Sequence, residues 1–262
     1  KDILIDALAA LDYDTFEETA DGFLAYIHGD KFSEIATNEL LAEYKEDYTF
    51  NYTSAQIPYE NWNKLWESNF QPVVISGKCH IRASFHEPRP DLPMEVVINP
   101  KMAFGTGHHE TTSLMSDYLF ETNIAGKTVL DMGCGTAVLA IIASKLGAVS
   151  LVAIDYDAQA IVNAKECVAL NGCHNIETYT GDKSSLLGMK PVEIILANIN
   201  RNILLDQLDS YEKCLTAGGV LLMSGFYAGS DLNIIREKAE SLGLKYINHK
   251  EKNNCVSAQF KK

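Results

Sequence analysis

From Lys127 onward the chain repeats one pattern, apolar strand, then turn, then helix, and no other feature restricts its fold as much. Strands are predicted at 128–131, 151–155, 176–179, 192–197 and 220–224, and helices at 138–146, 158–170 and 203–215. Parallel neighbours need a long crossover, which a helix supplies, so alternating units of this kind imply a mainly parallel sheet with helices on both faces. Ligands of such sheets sit beyond the carboxyl ends of the strands. The residues that end those strands are therefore the candidates for chemistry.

Upstream the signals change. Ile3, Leu4, Ala7, Leu8 and Leu11 recur at helical spacing, and Phe23, Ala25 and Ile27 alternate as a strand after the turn residues Asp21 and Gly22. Ser33 is placed to cap a second helix through Ile35, Leu40 and Leu41, and the alternation of Tyr48, Phe50 and Tyr52 predicts another strand. Together these form a small α+β module. Trp62, Leu65 and Trp66 share one face of a connecting helix after Pro58, and short strands follow at 73–75 and 96–98.

Charge separates the two parts. Residues 1–60 hold 14 Asp and Glu against 3 Lys and Arg, a charge of −11, whereas the whole chain carries −13. Such a field repels nucleic-acid phosphate and favours a basic partner, with a solvated surface kept for solubility as the competing reading. The six cysteines form no C-x-x-C pair and are expected to be reduced thiols. No apolar run is long enough to span a bilayer, and the N-terminus lacks the pattern of a secretory signal, so a cytoplasmic location is expected.

The sharpest motif is Val129-Leu130-Asp131-Met132-Gly133-Cys134-Gly135-Thr136, a strand that ends in a carboxylate and turns through two glycines into a helix. Glycines permit positive φ and close approach of a ligand, and a helix start offers free N–H donors, so a nucleotide is expected here. A dinucleotide fingerprint would need a third small residue at position 138, which is Val138. Asp131 at the loop's entrance would repel a pyrophosphate but tolerate a sulfonium or ammonium. The D-x-G-x-G loop resembles the first motif of class I S-adenosylmethionine methyltransferases. Asp155, ending the next strand, is placed to accept both ribose hydroxyls, and Asp157 is expected to cap the following helix. Gly181-Asp182, beyond the third strand, falls where that class often holds the adenine amino group, with a surface turn as the alternative.

Before the first strand lies Ala103-Phe104-Gly105-Thr106-Gly107-His108-His109-Glu110-Thr111-Thr112. His108, His109 and Glu110 are adjacent and lack a spaced third ligand, so no metal site is expected. The stretch resembles the A-F-G-T-G-x-H-x-T-T signature of ribosomal protein L11 methyltransferases, and the likeness extends through the glycine loop, the Asp155 strand and Ala197-Asn198-Ile199. It implies an α/β fold, a Rossmann-like class I methyltransferase sheet with helices on both faces, preceded by a small ferredoxin-like α+β domain. The boundaries would be 1–57 for an acidic substrate-recognition domain, 58–72 for a linker helix and 73–262 for the methyltransferase domain. Substrate domains of that family usually open with a β-strand, whereas this sequence begins at a helix, so the first strand is expected to be missing from it.

The resemblance further implies that Thr112, Gly133, Asp155 and Asn198 contact the cofactor, with Phe104 and Thr106 closing over it, and Asp131, Gly135 and Asp182 complete the candidate set. S-adenosylmethionine would be the cofactor and the basic ribosomal protein L11 the partner, methylated on lysine or N-terminal amines by a monomer. Asn198, ending the fourth strand, is the candidate catalytic residue. Methylation of an RNA or DNA base is the main alternative, because Asn198-Ile199-Asn200-Arg201 distantly resembles N-P-P-Y, although both prolines and the stacking Tyr are missing. A dinucleotide oxidoreductase and a non-catalytic binding protein that kept the fold remain as further readings.

Overall fold

A computed structural model describes residues 1–56, 70–99, 105 and 107–262. The chain divides into two compact units, Lys1–Leu65 and Trp66–Lys262. The linker-helix residues Trp62, Leu65 and Trp66 lie outside the described residues, as do Phe104 and Thr106.

In the first unit, helices Asp2–Ala9 and Glu34–Tyr44 accompany an antiparallel hairpin of β1 (Thr15–Thr19) and β2 (Gly22–Tyr26). Ser33 caps the second helix as expected, its hydroxyl accepting from the Ala36 N–H. Leu8, Tyr13 and Leu41 form the small core, and Tyr13 reaches across it to the Thr37 hydroxyl at 3.1 Å. The strand expected around Phe50 does not form. Only Phe50 of the alternating aromatics lies against the core; Tyr48 and Tyr52 are exposed, and Tyr52 donates to Asn38.

The second unit opens with a three-stranded sheet of β3 (Val73–Ile75), β4 (Cys79–Ala83) and β5 (Met94–Ile98). β4 was not foreseen, and Arg82 on it grips Glu95 of β5 with two hydrogen bonds of 2.8 and 2.9 Å. The main sheet comprises β6 (Thr128–Met132), β7 (Ser150–Asp155), β8 (Ile176–Thr180), β9 (Val192–Asn198), β10 (Leu215–Tyr227), β11 (Lys245–Lys252) and β12 (Cys255–Lys261). Their order is β11-β12-β10-β9-β6-β7-β8. β6 to β10 pair in parallel, while β12 runs antiparallel to both neighbours, so the sheet is mixed.

Alternation along the strands divides the core in two. Val129, Leu151, Ile194 and Leu196 join a cluster with Met115, Leu119, Ile141 and Ile161, whereas Leu130, Ile154, Ile195 and Ala197 join one with Leu204, Leu208, Tyr211 and Ile235. Successive strand residues point to opposite faces, so the sheet is covered on both sides. Helices Glu110–Glu121, Val138–Lys145 and Ala158–Leu170 cover one face, and Arg201–Cys214 with Ser230–Ser241 the other. The expected doubly covered α/β sheet is therefore present, with an added C-terminal helix and hairpin. No helix among the described residues is long and apolar enough to cross a membrane.

Candidate functional site

The parallel strands present their carboxyl ends together, and two of those ends are laced by main-chain bonds. At the tip of β6, Gly133 and Cys134 donate to the Ile154 carbonyl of β7 at 2.8 and 3.1 Å. Gly135 donates to Asp155 Oδ2 at 2.9 Å, and Asp157 donates to Asp155 Oδ1 at 3.0 Å. The Asp155 carbonyl accepts from Gly181 at 2.8 Å, which adds the tip of β8. One aspartate thus fixes the glycine loop against its neighbours. A carboxylate has about four lone-pair positions, and the two backbone donors leave about two, the number that a ribose diol requires.

The loop needs its glycines. Gly133 and Gly135 have φ of 74° and 54°, and a Cβ on Gly133 would come within 2.1 Å of Ile199 Cγ2. Ala137 adopts a φ of 60° although it is not glycine and is wholly buried. That conformation costs about 1–2 kcal/mol. The strained residue stands at the head of the Val138–Lys145 helix, and neither residue type nor spacing signals it.

Asp131 differs from its expected placement. It is 2 % exposed, and its Oδ2 accepts from the Ala140 N–H at 3.1 Å, so it braces the helix from within rather than standing at the loop's mouth. Burial, opposed by that bond and aided by the nearby Asp155 charge, pushes its carboxyl up to about 7. Because the native pKa lies above the unfolded value of 3.8, the native state holds the extra proton between about pH 4 and about pH 7, and stability falls as pH rises through that window. Asp131→Asn keeps an acceptor for Ala140 and does not titrate. Relative to the variant, the parent chain is expected to lose about 2–3 kcal/mol of unfolding free energy between about pH 5 and about pH 8. Urea titrations at both pH values measure this difference, and parallel slopes for the two proteins would remove the assignment.

The other candidates surround this centre. Thr112 is 1 % exposed at the head of the Glu110–Glu121 helix, and its Oγ1 has no hydrogen-bond partner among the described residues. Asn198 ends β9 half-buried, opposite Ser224, and its side chain bonds to no described residue. Ile199, next in sequence, donates to the Ser224 carbonyl at 3.2 Å. Its carbonyl would lie 2.1 Å from a Cβ on Gly225, so Gly225, at a bulge in β10, makes room for the turn after Asn198. Asp182 serves as a local cap, its Oδ1 accepting from the Ser184 N–H and hydroxyl at 2.8 and 2.6 Å. Asp157 caps the Ala158–Leu170 helix as expected.

Gly105 links the upstream loop to this assembly, since its carbonyl accepts from Thr136 Oγ1 at 2.7 Å. Spacing alone did not reveal Thr136 as a contact, although it follows the second glycine of the loop directly.

Comparison with known proteins identifies the family and the fold. The family profile "Ribosomal protein L11 methyltransferase (PrmA)" matches residues 9–262. A ribosomal protein L11 methyltransferase of Phocaeicola vulgatus is 46 % identical over 260 residues, covering 98 % of this chain and 92 % of its own length. One from Porphyromonas gingivalis is 45 % identical over 263 residues, covering 99 % and 90 %. The crystal structure of a ribosomal protein L11 methylase from Lactobacillus delbrueckii subsp. bulgaricus superimposes with a TM-score of 0.67 at 25 % identity, over 73 % of this chain and 98 % of that one. A methyltransferase complexed with SAH shares the fold, with a TM-score of 0.52 at 15 % identity over 60 % of this chain and 50 % of the other.

Proposed function

The chain belongs to the ribosomal protein L11 methyltransferase family, and on that premise we propose that it methylates amino groups of ribosomal protein L11 at the tips of β6, β7 and β9. It is an S-adenosylmethionine-dependent protein methyltransferase. Family membership decides against the base-methylating and dinucleotide readings.

The observation that carries the site assignment is the Asp155 carboxylate, strapped to the glycine loop with acceptor capacity to spare. In this reading it accepts the ribose hydroxyls, Gly133 and Gly135 let the ligand approach the main chain, and the buried Thr112 hydroxyl finds its missing partner there. Asp131 acts behind the loop by holding the helix start. Asp182 and the residues Phe104 and Thr106 complete the proposed pocket around the adenosine.

The bound cofactor supplies an electrophilic methyl on a sulfonium, with a good leaving group, so the protein's task is chiefly alignment. A lysine amine has an ordinary pKa near 10.4 and attacks only as the neutral form. Desolvation and a neighbouring cation favour that form, and the released proton passes to solvent. The Asn198 side-chain carbonyl accepts an N–H of the amine and so directs its lone pair at the methyl carbon.

The acidic first unit suits a basic protein substrate. With a charge of −11 over residues 1–60, it should speed encounter by long-range attraction that salt screens. Initial rates at limiting L11 are expected to fall about tenfold between about 0.02 M and about 0.2 M salt. A flat salt profile would leave the acidity as a solubility device. A monomer acting in the cytoplasm fits this reading.

The direct test is transfer of labelled methyl from S-adenosylmethionine to purified L11. Label on amines of L11 supports the proposal; an unlabelled L11 beside an intact, cofactor-binding enzyme contradicts it.

A further inference from the structure

We propose that His109, Glu110 and Cys255 form a binding site for a zinc-class divalent cation, which would tie the exit of the glycine-rich upstream loop to the C-terminal hairpin. One donor atom from each lies within 4.8 Å of the others. His109 caps the Glu110–Glu121 helix, Glu110 is its first residue, and Cys255 opens β12 far downstream. The sequence offers only adjacent histidines and a glutamate, and the fold adds the spaced third ligand that adjacency could not supply.

The chemistry favours zinc over calcium or magnesium, because one nitrogen, one oxygen and one sulfur donor form a set of borderline softness. Zinc binds sulfur at about 2.3 Å and nitrogen or oxygen at about 2.0–2.2 Å, which puts tetrahedral donors about 3.5 Å apart. Side-chain rotation by about 1 Å therefore closes the site, with water as the fourth ligand. His109 and Glu110 are at least partly exposed, and Cys255 is the one cysteine of the six that is not buried.

The surroundings already provide outer supports. Asn253 Nδ2 donates to Glu110 Oε1 at 2.9 Å, which orients the carboxylate and leaves Oε2 for the cation. Asn253 and Asn254 both have positive φ, 49° and 64°, the geometry of a tight two-residue hairpin turn, and this turn delivers Cys255 to the cluster. His109 Nδ1 lies 2.8 Å from the Thr111 hydroxyl. Nδ1 also accepts from the Thr111 N–H at 3.3 Å, the bond that caps the helix, so zinc on the other ring nitrogen would turn Nδ1 into a donor to the Thr111 hydroxyl and give up that capping bond. The thiol proton leaves to solvent as sulfur binds. Occupancy would restrain the helix start that carries Thr112, two residues beyond Glu110.

The experiment uses the untagged full chain, stripped with chelator, dialysed against micromolar zinc and analysed for metal by mass spectrometry. One equivalent is expected to be retained, and Cys255→Ser and His109→Ala should each weaken retention by about tenfold or more. Cobalt substitution should give a thiolate-to-cobalt charge-transfer band that Cys255→Ser abolishes, and metal-free melting curves confirm that both variants fold. Failure of the parent chain to retain zinc, or equal retention by Cys255→Ser, would overturn the site.

Discussion

Asp155→Ala is expected to weaken binding of S-adenosylhomocysteine by at least about a hundredfold, measured by calorimetry. Two charge-assisted hydrogen bonds to a ribose diol, each contributing about 1.5–3 kcal/mol, account for a loss of that size. The variant also loses the acceptor for the Gly135 and Asp157 N–H groups, so the loop itself loosens. Leaving those donors unpaired costs about 1–3 kcal/mol of stability, which predicts a lower melting temperature even without ligand. Asp155→Asn separates the two effects, since its amide oxygen can still accept from one backbone donor while the charge is gone. Unchanged affinity in Asp155→Ala would remove this residue from the site and the adenosine from the β6–β7 crevice.

Asn198→Ala should behave differently, with kcat falling about 10²- to 10³-fold while KM for S-adenosylmethionine changes far less. That range is the usual cost of deleting one positioned hydrogen-bonding group that acts on the reacting centre. Structural cost should be small, because the backbone pairing of Asn198 with Ser224 and the bond from Ile199 to the Ser224 carbonyl do not involve the side chain. The Asn198 amide makes no bond to any described residue, so the fold loses no hydrogen bond there when it is removed. Steady-state kinetics with L11 and a melting curve together decide the matter. Parental turnover would show that Asn198 does no more than end a strand, whereas equal losses in kcat and stability would make its role structural.

The pattern of apolar residues carried the central sheet, because β6, β7 and β9 are Val/Ile/Leu-rich strands buried on both faces and bounded by clear turn residues. Local chemistry was equally plain at Ser33 and Asp157, whose capping bonds reach only two or three residues along the chain. The C-terminal hairpin was harder. β11 is an edge strand, Lys245–Lys252, with mostly polar, exposed residues, and only its pairing with β12 gives it a strand's conformation. Polarity hid β11, and β4 was hidden by His80 and Arg82, polar residues in the middle of a largely buried strand. The strand expected near Phe50 does not form: of its alternating aromatics only Phe50 packs against Leu8, Tyr13 and Leu41, and Tyr48 and Tyr52 stay exposed, so alternation there did not mark a face to bury.

At the site, the sequence identified residue types at strand ends but not their hydrogen-bond partners. Asp131 and Asp155 both end strands and looked alike as carboxylates facing a ligand. Register and burial distinguish them, one turned to Ala140 behind the loop and the other strapped to Gly135 at its front. The grouping of Cys255 with His109 and Glu110 is a consequence of tertiary structure alone, as is the left-handed backbone at Ala137.

A crystal structure of the full chain with S-adenosylhomocysteine decides whether adenosine occupies the crevice. Both ribose hydroxyls should lie within hydrogen-bond distance of the Asp155 carboxylate, with the ligand running along Gly133 and Gly135 and its sulfur turned toward Asn198. Density for the ligand elsewhere on the chain, or a ribose that leaves Asp155 untouched, would contradict the proposed site and the alignment of acceptor and methyl that rests on it.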